Sequence, residues 1–216
     1  LRMDVYLERA DARDALLSAK YASLDDLPEG ASVGTSSLRR QAILLQKRPD
    51  LKIETIRGNV PTRIAKMKEG QVDAIILAKA GLDRLSLSDE ISETLEADVM
   101  LPAVCQGIIG IEYREHDDNI RNVLQNLHCE KTGLIATAER AVLQAVDGSC
   151  HTPISSYAVF KSGHDMHLQT MILAPDGSDH HYFEDTRAVA DESAARIFGQ
   201  ELGDKLKQAA PAAWIK

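Results

Sequence analysis

The sequence predicts an α/β unit joined to a small α+β unit, and two observations carry this. From Ala31 to Ala78, strand-length apolar stretches alternate with helical spacing, giving β-α-β-α-β with parallel strands and short connections. From Thr132 onward a helical stretch, three strand-like stretches split by turn residues and a second helical stretch follow, in the order αβββα.

Taken in order, Ala31-Ser32-Val33 leads in as a strand and Gly34-Thr35-Ser36-Ser37 turns. Leu38, Ala42 and Leu45 share a helical face from Leu38 to Lys47, stopped by Arg48-Pro49-Asp50. Lys52 to Ile56 alternates like a strand, and Arg57-Gly58-Asn59 turns into a helix with Pro61 in its first turn, running to Gly70. Asp73 to Ala78 is a continuous apolar strand, as expected where both faces are covered. Ile108 to Tyr113 reads as a strand and Asp117 to Asn126 as a helix whose first acids face the helix dipole. Thr132 is expected to cap a helix from Gly133 to Val146, closed by Asp147-Gly148. Ser155–Phe160, His167–Ala174 and His181–Ala188 then form antiparallel hairpins. Asp191 opens a last helix with Ala195, Phe198, Leu202 and Leu206 on one face.

The 216 residues are 44% hydrophobic and 27% charged, which excludes global disorder. No apolar run approaches the ~20 residues of a membrane span, so no membrane partner is expected. Three cysteines without a C-x-x-C pair make neither a disulfide framework nor a zinc knuckle, and a reducing cytoplasm is the expected setting. The seven histidines are scattered, so no metal site is expected. The first residue is Leu1 rather than Met, as expected of a chain that begins inside a longer protein.

The net charge of −8 disfavours nucleic acid, but its distribution is uneven. From Val33 to Arg84 the net charge is +6, and the remainder carries −14. A local cationic segment suits a small polyanion better than a long phosphate backbone. Arg39 and Arg40 lie in the first turn of the first helix, Arg57 after the second strand, Arg63 in the next helix start and Arg84 beyond the third strand. In an open α/β sheet these places converge on the carboxyl edge of the strands, where ligands bind. Guanidinium forks pair bidentately with carboxylates, and Thr35, Ser36 and Ser37 add hydroxyls. Cys150 lies in a turn beside His151, which can lower a thiol pKa; on local sequence alone it reads as a small apolar loop residue. Cys105 and Cys129 read as packing residues.

Val33-Gly34-Thr35-Ser36-Ser37-Leu38-Arg39-Arg40-Gln41 resembles a motif of the porphobilinogen deaminase (hydroxymethylbilane synthase) family. So do Ile56-Arg57-Gly58-Asn59-Val60 with Arg63, Ala80-Gly81-Leu82-Asp83-Arg84-Leu85, Leu101-Pro102-Ala103-Val104 with Gln106-Gly107, and Glu139-Arg140 followed by Asp147-Gly148-Ser149-Cys150-His151-Thr152-Pro153-Ile154. Their order and spacing follow the family over nearly the whole chain. The resemblance implies a transferase of tetrapyrrole (haem and chlorophyll) biosynthesis. It joins four porphobilinogen molecules head to tail into a linear tetrapyrrole, hydroxymethylbilane, and releases ammonia. It implies a dipyrromethane cofactor on a thioether to Cys150, reversing the local reading of that residue. Residues matching Thr35, Ser36, Ser37, Arg39, Arg40 and Arg84 would bind the cofactor; those matching Arg57, Arg63 and Arg84 would bind porphobilinogen and the growing polypyrrole chain.

The resemblance also implies a type II periplasmic-binding-protein-like architecture. Residues 1–8 would end domain one, 9–100 form domain two, 101–128 return to domain one and 129–216 form domain three. The family's catalytic acid lies in an N-terminal segment before Leu1, so this chain is expected to be an inactive fragment, with the intact protein a monomer. Residues 101–128 are expected to be mobile or held by a partner chain while the flanking domains stay ordered, because an uncovered stretch such as Ile108-Ile109-Gly110-Ile111 exposes an apolar surface and a strand edge. Cys105 stands where the family usually has Gly, Ser155 where Gly usually follows Pro-Ile, and Ile108 and Ile109 are bulkier than usual. Two other readings suit parts of the pattern. A non-catalytic anion-binding module of periplasmic-binding-protein type needs no loop cysteine. A regulator's effector domain would want a DNA-binding helix pair, and none is visible.

Overall fold

The computed structural model describes residues 1–149 and 151–215. In chain order the elements are β1 (Arg2–Tyr6), β2 (Asp14–Leu17), β3 (Ser32–Gly34), α1 (Leu38–Lys47), β4 (Lys52–Glu54), α2 (Val60–Lys68), β5 (Ala74–Ala78), α3 (Lys79–Arg84), β6 (Glu93–Leu95) and β7 (Gly110–Tyr113). They continue with α4 (Asp118–Gln125), α5 (Glu130–Val146), β8 (Ile154–Ser162), β9 (Asp165–Leu173), β10 (His180–Ala188) and α6 (Glu192–Ala209).

The strands make three sheets. A five-stranded sheet has the order β4-β3-β5-β2-β6. Its β4, β3 and β5 are parallel, as the alternation predicts. The sheet as a whole is mixed, because β2 runs antiparallel to both β5 and β6. All four residues of β2 are buried between its neighbours. A second, antiparallel sheet has the order β10-β9-β8. Its one face carries α5 and α6, with Val142, Phe198, Leu202 and Leu206 in one apolar cluster with Met166, Leu168 and Ile172. Each fully buried large apolar side chain there contributes roughly 1.5–3 kcal/mol.

The helices start where capping chemistry allows. Ser37 caps α1, Asn59 caps α2 with Pro61 in the first turn, and Asp191 caps α6. Asp117 caps α4 as its acid pattern predicts. Thr132 is not the cap of α5: the helix begins at Glu130, and the Thr132 hydroxyl, buried one turn in, accepts from the Arg9 N–H at 3.1 Å. Arg84 closes the short helix α3 rather than following a bare strand.

Residues 110–113 have a partner inside the chain, contrary to the sequence expectation. Strand β7 pairs antiparallel with β1, placing Val5 opposite Ile111 and Tyr6 opposite Gly110. The Leu7 N–H donates to the Ile109 carbonyl at 3.0 Å, and Ile108 packs against the cluster under α5 and α6.

Two glycines of α6 set how closely it approaches α5. A Cβ on Gly199 would meet the Ala138 carbonyl oxygen and lie 2.9 Å from the Ala141 Cβ; one on Gly203 would lie 2.6 Å from the Ala145 Cβ. Small residues on both helices allow near contact of their backbones.

Candidate functional site

The start of α1 is held by one buried carboxylate. Asp14, fully buried at the first position of β2, accepts from Arg39 Nη2 at 2.7 Å, from Arg40 Nη2 at 2.7 Å and from Arg40 Nε at 3.0 Å. Gln106 Nε2 adds a fourth donor at 3.0 Å. Burial pushes the Asp14 carboxyl up, but the two guanidinium groups outweigh it and hold the group below its ordinary value. Two cations against one anion leave this cluster one positive charge in excess.

Arg39 is 4% exposed and its Nη1 donates to the Leu101 carbonyl at 2.6 Å. The Ser155 hydroxyl donates to the same carbonyl at 2.9 Å, which gives this departure from the family's usual glycine a definite task. Among the described residues, Arg39 Nε is buried without a hydrogen-bond partner. A buried unpartnered donor on a cation is costly, so it marks a place where an acceptor is wanted.

Arg39 lines a cavity of about 330 Å³ together with Ser37, Ala103, Val104, Leu143, Ser149, Thr152 and Ile154. The wall from α1 thus faces residues that flank Cys150 in sequence. Cys150 itself lies outside the described residues. Its neighbours are tied together across it. Ser149 N–H donates to the Thr152 hydroxyl at 3.1 Å, Thr152 N–H to the Ser149 carbonyl at 3.0 Å and His151 N–H to the Ser149 hydroxyl at 3.1 Å.

The other expected residues are not among those lining this cavity. Thr35 is buried, and its hydroxyl accepts from the Ser37 N–H at 3.2 Å. The exposed Ser36 donates to the Ile56 carbonyl at 3.1 Å, which joins the turn after β3 to the turn carrying Arg57. Arg57 and Arg84 are exposed. Arg63 is half-buried, its Nε donating to the Gly58 carbonyl at 2.8 Å. A Cβ on Gly81 would lie 4.0 Å from Val60 Cγ2, so α3 and the start of α2 are neighbours. Ser36 and Arg57 thus lie on linked turns, while Arg63 lies in the first turns of α2 and Arg84 at the end of the neighbouring helix α3.

A second buried ion pair was not legible from the sequence. Arg9 Nη1 and Glu139 Oε1 are 2.6 Å apart, and Glu139 is fully buried. Its carboxylate also accepts from Cys105 N–H at 2.6 Å and Ala158 N–H at 2.8 Å. Burial pushes the Glu139 carboxyl up; Arg9 and the two backbone donors offset this only in part. The Arg9 guanidinium lies 5.0 Å from the Tyr157 ring centroid, a cation–π stack. Glu139 thereby joins the segment after β1, the 101–107 segment, α5 and β8. An acid between Ala138 and Ala141 on a buried helix face is the signal that could have found it.

Cys105 sits beside Glu139 with a left-handed φ of 57°. Burial and the Glu139 charge push its thiol up to about 12, so it is a poor nucleophile at neutral pH. The same φ explains why glycine suits this position. Cys105→Gly relieves backbone strain of about 1–2 kcal/mol while losing thiol packing of similar size. The expected change in unfolding free energy is within about 1 kcal/mol, read by urea denaturation; a loss above about 2 kcal/mol would show that packing decides.

Residues 1–122 match the family model described as porphobilinogen deaminase, dipyromethane cofactor binding domain. Residues 134–208 match the model of the porphobilinogen deaminase C-terminal domain. The porphobilinogen deaminase of Nitrobacter hamburgensis is 44% identical over 96% of this chain and 65% of its own length. That of Sorangium cellulosum is 46% identical over 93% of this chain and 67% of its own length. Among solved structures, a putative methionine-binding lipoprotein from Bacillus subtilis overlaps with a TM-score of 0.39 at 16% identity, covering 60% of this chain and 61% of that one. The chain spans about two thirds of the length of the curated relatives it matches. With both domain models matched and this identity along nearly its whole length, the chain belongs to the porphobilinogen deaminase family.

Proposed function

We propose that this chain is the cofactor-holding part of an enzyme that joins four porphobilinogen units into hydroxymethylbilane with release of ammonia. The observation that carries the reading is the cavity in which Ser37 and Arg39 face Ser149 and Thr152. Bound at Cys150, a dipyrromethane would supply the pyrrole primer on which the chain is extended. Its acetate and propionate groups fit an excess positive charge and the unpartnered Arg39 Nε. Arg40 shares Asp14 with Arg39 and adds to the same field. Ser37 and Thr35 order the turn, and Ser36 joins it to the segment bearing Arg57. Arg57 in the turn before α2, Arg63 in α2 and Arg84 at the end of α3 suit the carboxylates of incoming porphobilinogen and the growing chain.

Residues 1–8, 9–100, 101–128 and 129–216 are assigned to the end of domain one, domain two, the return to domain one and domain three. Support comes from β1 pairing, among the described residues, with β7 alone, and from the separate sheets of the other two parts. No helix among the described residues is long and apolar enough to cross a membrane. Cys105 and Cys129 are free thiols, which suits a reducing cytoplasm. We take the intact protein to act there as a monomer.

The test is the mass, after exposure to porphobilinogen, of the longer chain that carries the family's N-terminal segment ahead of these residues. Cys150→Ser is expected to abolish the covalent adduct, while Cys105→Ser and Cys129→Ser retain it. An adduct that survives Cys150→Ser ends the assignment.

A further inference from the structure

The β9–β10 turn, Pro175-Asp176-Gly177-Ser178, lies against the middle of α1 rather than in solvent. A Cβ on Gly177 would lie 2.5 Å from the Gln46 nitrogen, 2.7 Å from the Ala42 oxygen and 2.9 Å from the Leu45 carbonyl carbon. All three are backbone atoms of a helix, which cannot yield as a flexible side chain can. Gly177 also has a φ of 73°. The turn holds its own shape: Gly177 N–H donates to the Ala174 carbonyl at 2.9 Å, and Ser178 donates to Asp176 from its N–H at 3.1 Å and its hydroxyl at 2.6 Å. Two side chains of α1 reach across, Gln41 Nε2 to the Pro175 carbonyl at 3.5 Å and Gln46 Nε2 to His180 Nδ1 at 2.7 Å.

The strand behind this turn also grips the other wall of the cavity. Leu173, the last residue of β9, donates its N–H to the Pro153 carbonyl at 3.1 Å. Pro153 directly follows Thr152. Met171 and Leu173 share an apolar cluster with Ala42, Ile43 and Leu44 of α1. A continuous path therefore runs from α1 through the turn and β9 to the residues around position 150.

We propose that Gly177 is a positioning residue: by letting the β9–β10 turn seat on the α1 backbone, it sets the spacing between Ser37 and Arg39 on one side and Ser149 and Thr152 on the other. Gly177 is not among the residues that line the cavity. The consequence for cofactor loading rests on the function proposed above; the seating itself does not.

The other hairpin turn provides the control. Gly163 also has a positive φ, 48°, but a Cβ there meets nothing within 4 Å. Gly163→Ala and Gly177→Ala incur similar backbone strain, and only the second collides with α1. Hydrogen exchange on the two variants is the experiment. Gly177→Ala is expected to raise exchange at 41–47 at least tenfold over Gly163→Ala, with 168–172 equally protected in both. Covalent loading from porphobilinogen is expected to fall at least tenfold in Gly177→Ala and to stay at the parent level in Gly163→Ala. Equal exchange at 41–47 in the two variants overturns the proposal. Raised exchange with unchanged loading overturns the spacing role. Loading is measured with each variant carried in the longer chain that includes the family's N-terminal segment; if the unsubstituted longer chain takes up no adduct, the proposed function fails while the exchange result still decides the seating. Should Gly177→Ala not fold, Gln46→Ala replaces it; a severalfold rise in exchange at 174–180 supports the seating, and none overturns it.

Discussion

Asp14→Ala is expected to destabilise the protein by about 3–5 kcal/mol, the range for breaking a buried ion pair from one side. The loss exceeds one hydrogen bond because the substitution strands two guanidinium groups at once. Arg39 is almost wholly buried and keeps only the Leu101 carbonyl and Gln106 as partners. For a chain of this size, that corresponds to a fall in Tm of roughly 6–20 °C. The pH dependence follows from the direction of the shift. Asp14 has its folded pKa below the ordinary 3.8, so its contribution is fully present above 3.8 and is lost as pH falls through the folded value. Thermal melts of parent and Asp14→Asn should therefore differ most near neutrality and converge in strong acid. A parent–variant gap that persists unchanged at low pH would show that packing, not charge, is what Asp14 supplies.

Gly199→Ala carries the second large effect. On an exposed helix the change would stabilise by about 1 kcal/mol. Here the new methyl meets the Ala138 carbonyl oxygen and the Ala141 Cβ. Backbone on one side and a short, fixed side chain on the other leave no rotamer to absorb it, so α5 and α6 must part. Overpacking of this kind costs about 1–3 kcal/mol or more, and parting would also loosen the cluster around Phe198 and Leu202. The net expectation is a loss of at least about 2 kcal/mol in urea denaturation. Equal or greater stability than the parent would mean that the helices have slack at this crossing.

The first helix was legible to its ends because capping, spacing and a stop signal agree: Leu38 to Lys47 is both the expected and the observed span. The αβββα order and the Asp191 cap were legible for the same reason. Strands β2 and β6 were not. Four residues led by a carboxylate, and three residues beginning with Glu93, show neither alternation nor a long apolar run. The start of α5 was displaced because Thr132 looks like a cap by type, whereas its hydroxyl serves Arg9, far away in sequence. In the site, the arginines stood out by charge against an acidic chain. Their partner did not: nothing near Asp14 in sequence says that Arg39, Arg40 and Gln106 will converge on it. The seating of the Pro175–Ser178 turn was likewise hidden, since its turn chemistry explains the glycine without any neighbour.

The same buried pairs bear on the order in which the chain can mature during synthesis. Arg9 and Glu139 are 130 residues apart. At about 5–20 residues per second, roughly 7–26 s separate their emergence from a ribosome. For the larger part of that interval β1 also lacks β7, and Asp14 lacks Gln106. Residues 2–14 therefore precede the partners they settle against by about a hundred residues, with Gln106 92 residues after Asp14 and Glu139 130 residues after Arg9. Asp4, Glu8 and Asp11 along that stretch, with Arg2, Arg9 and Arg13 between them, keep the waiting segment hydrated rather than adhesive.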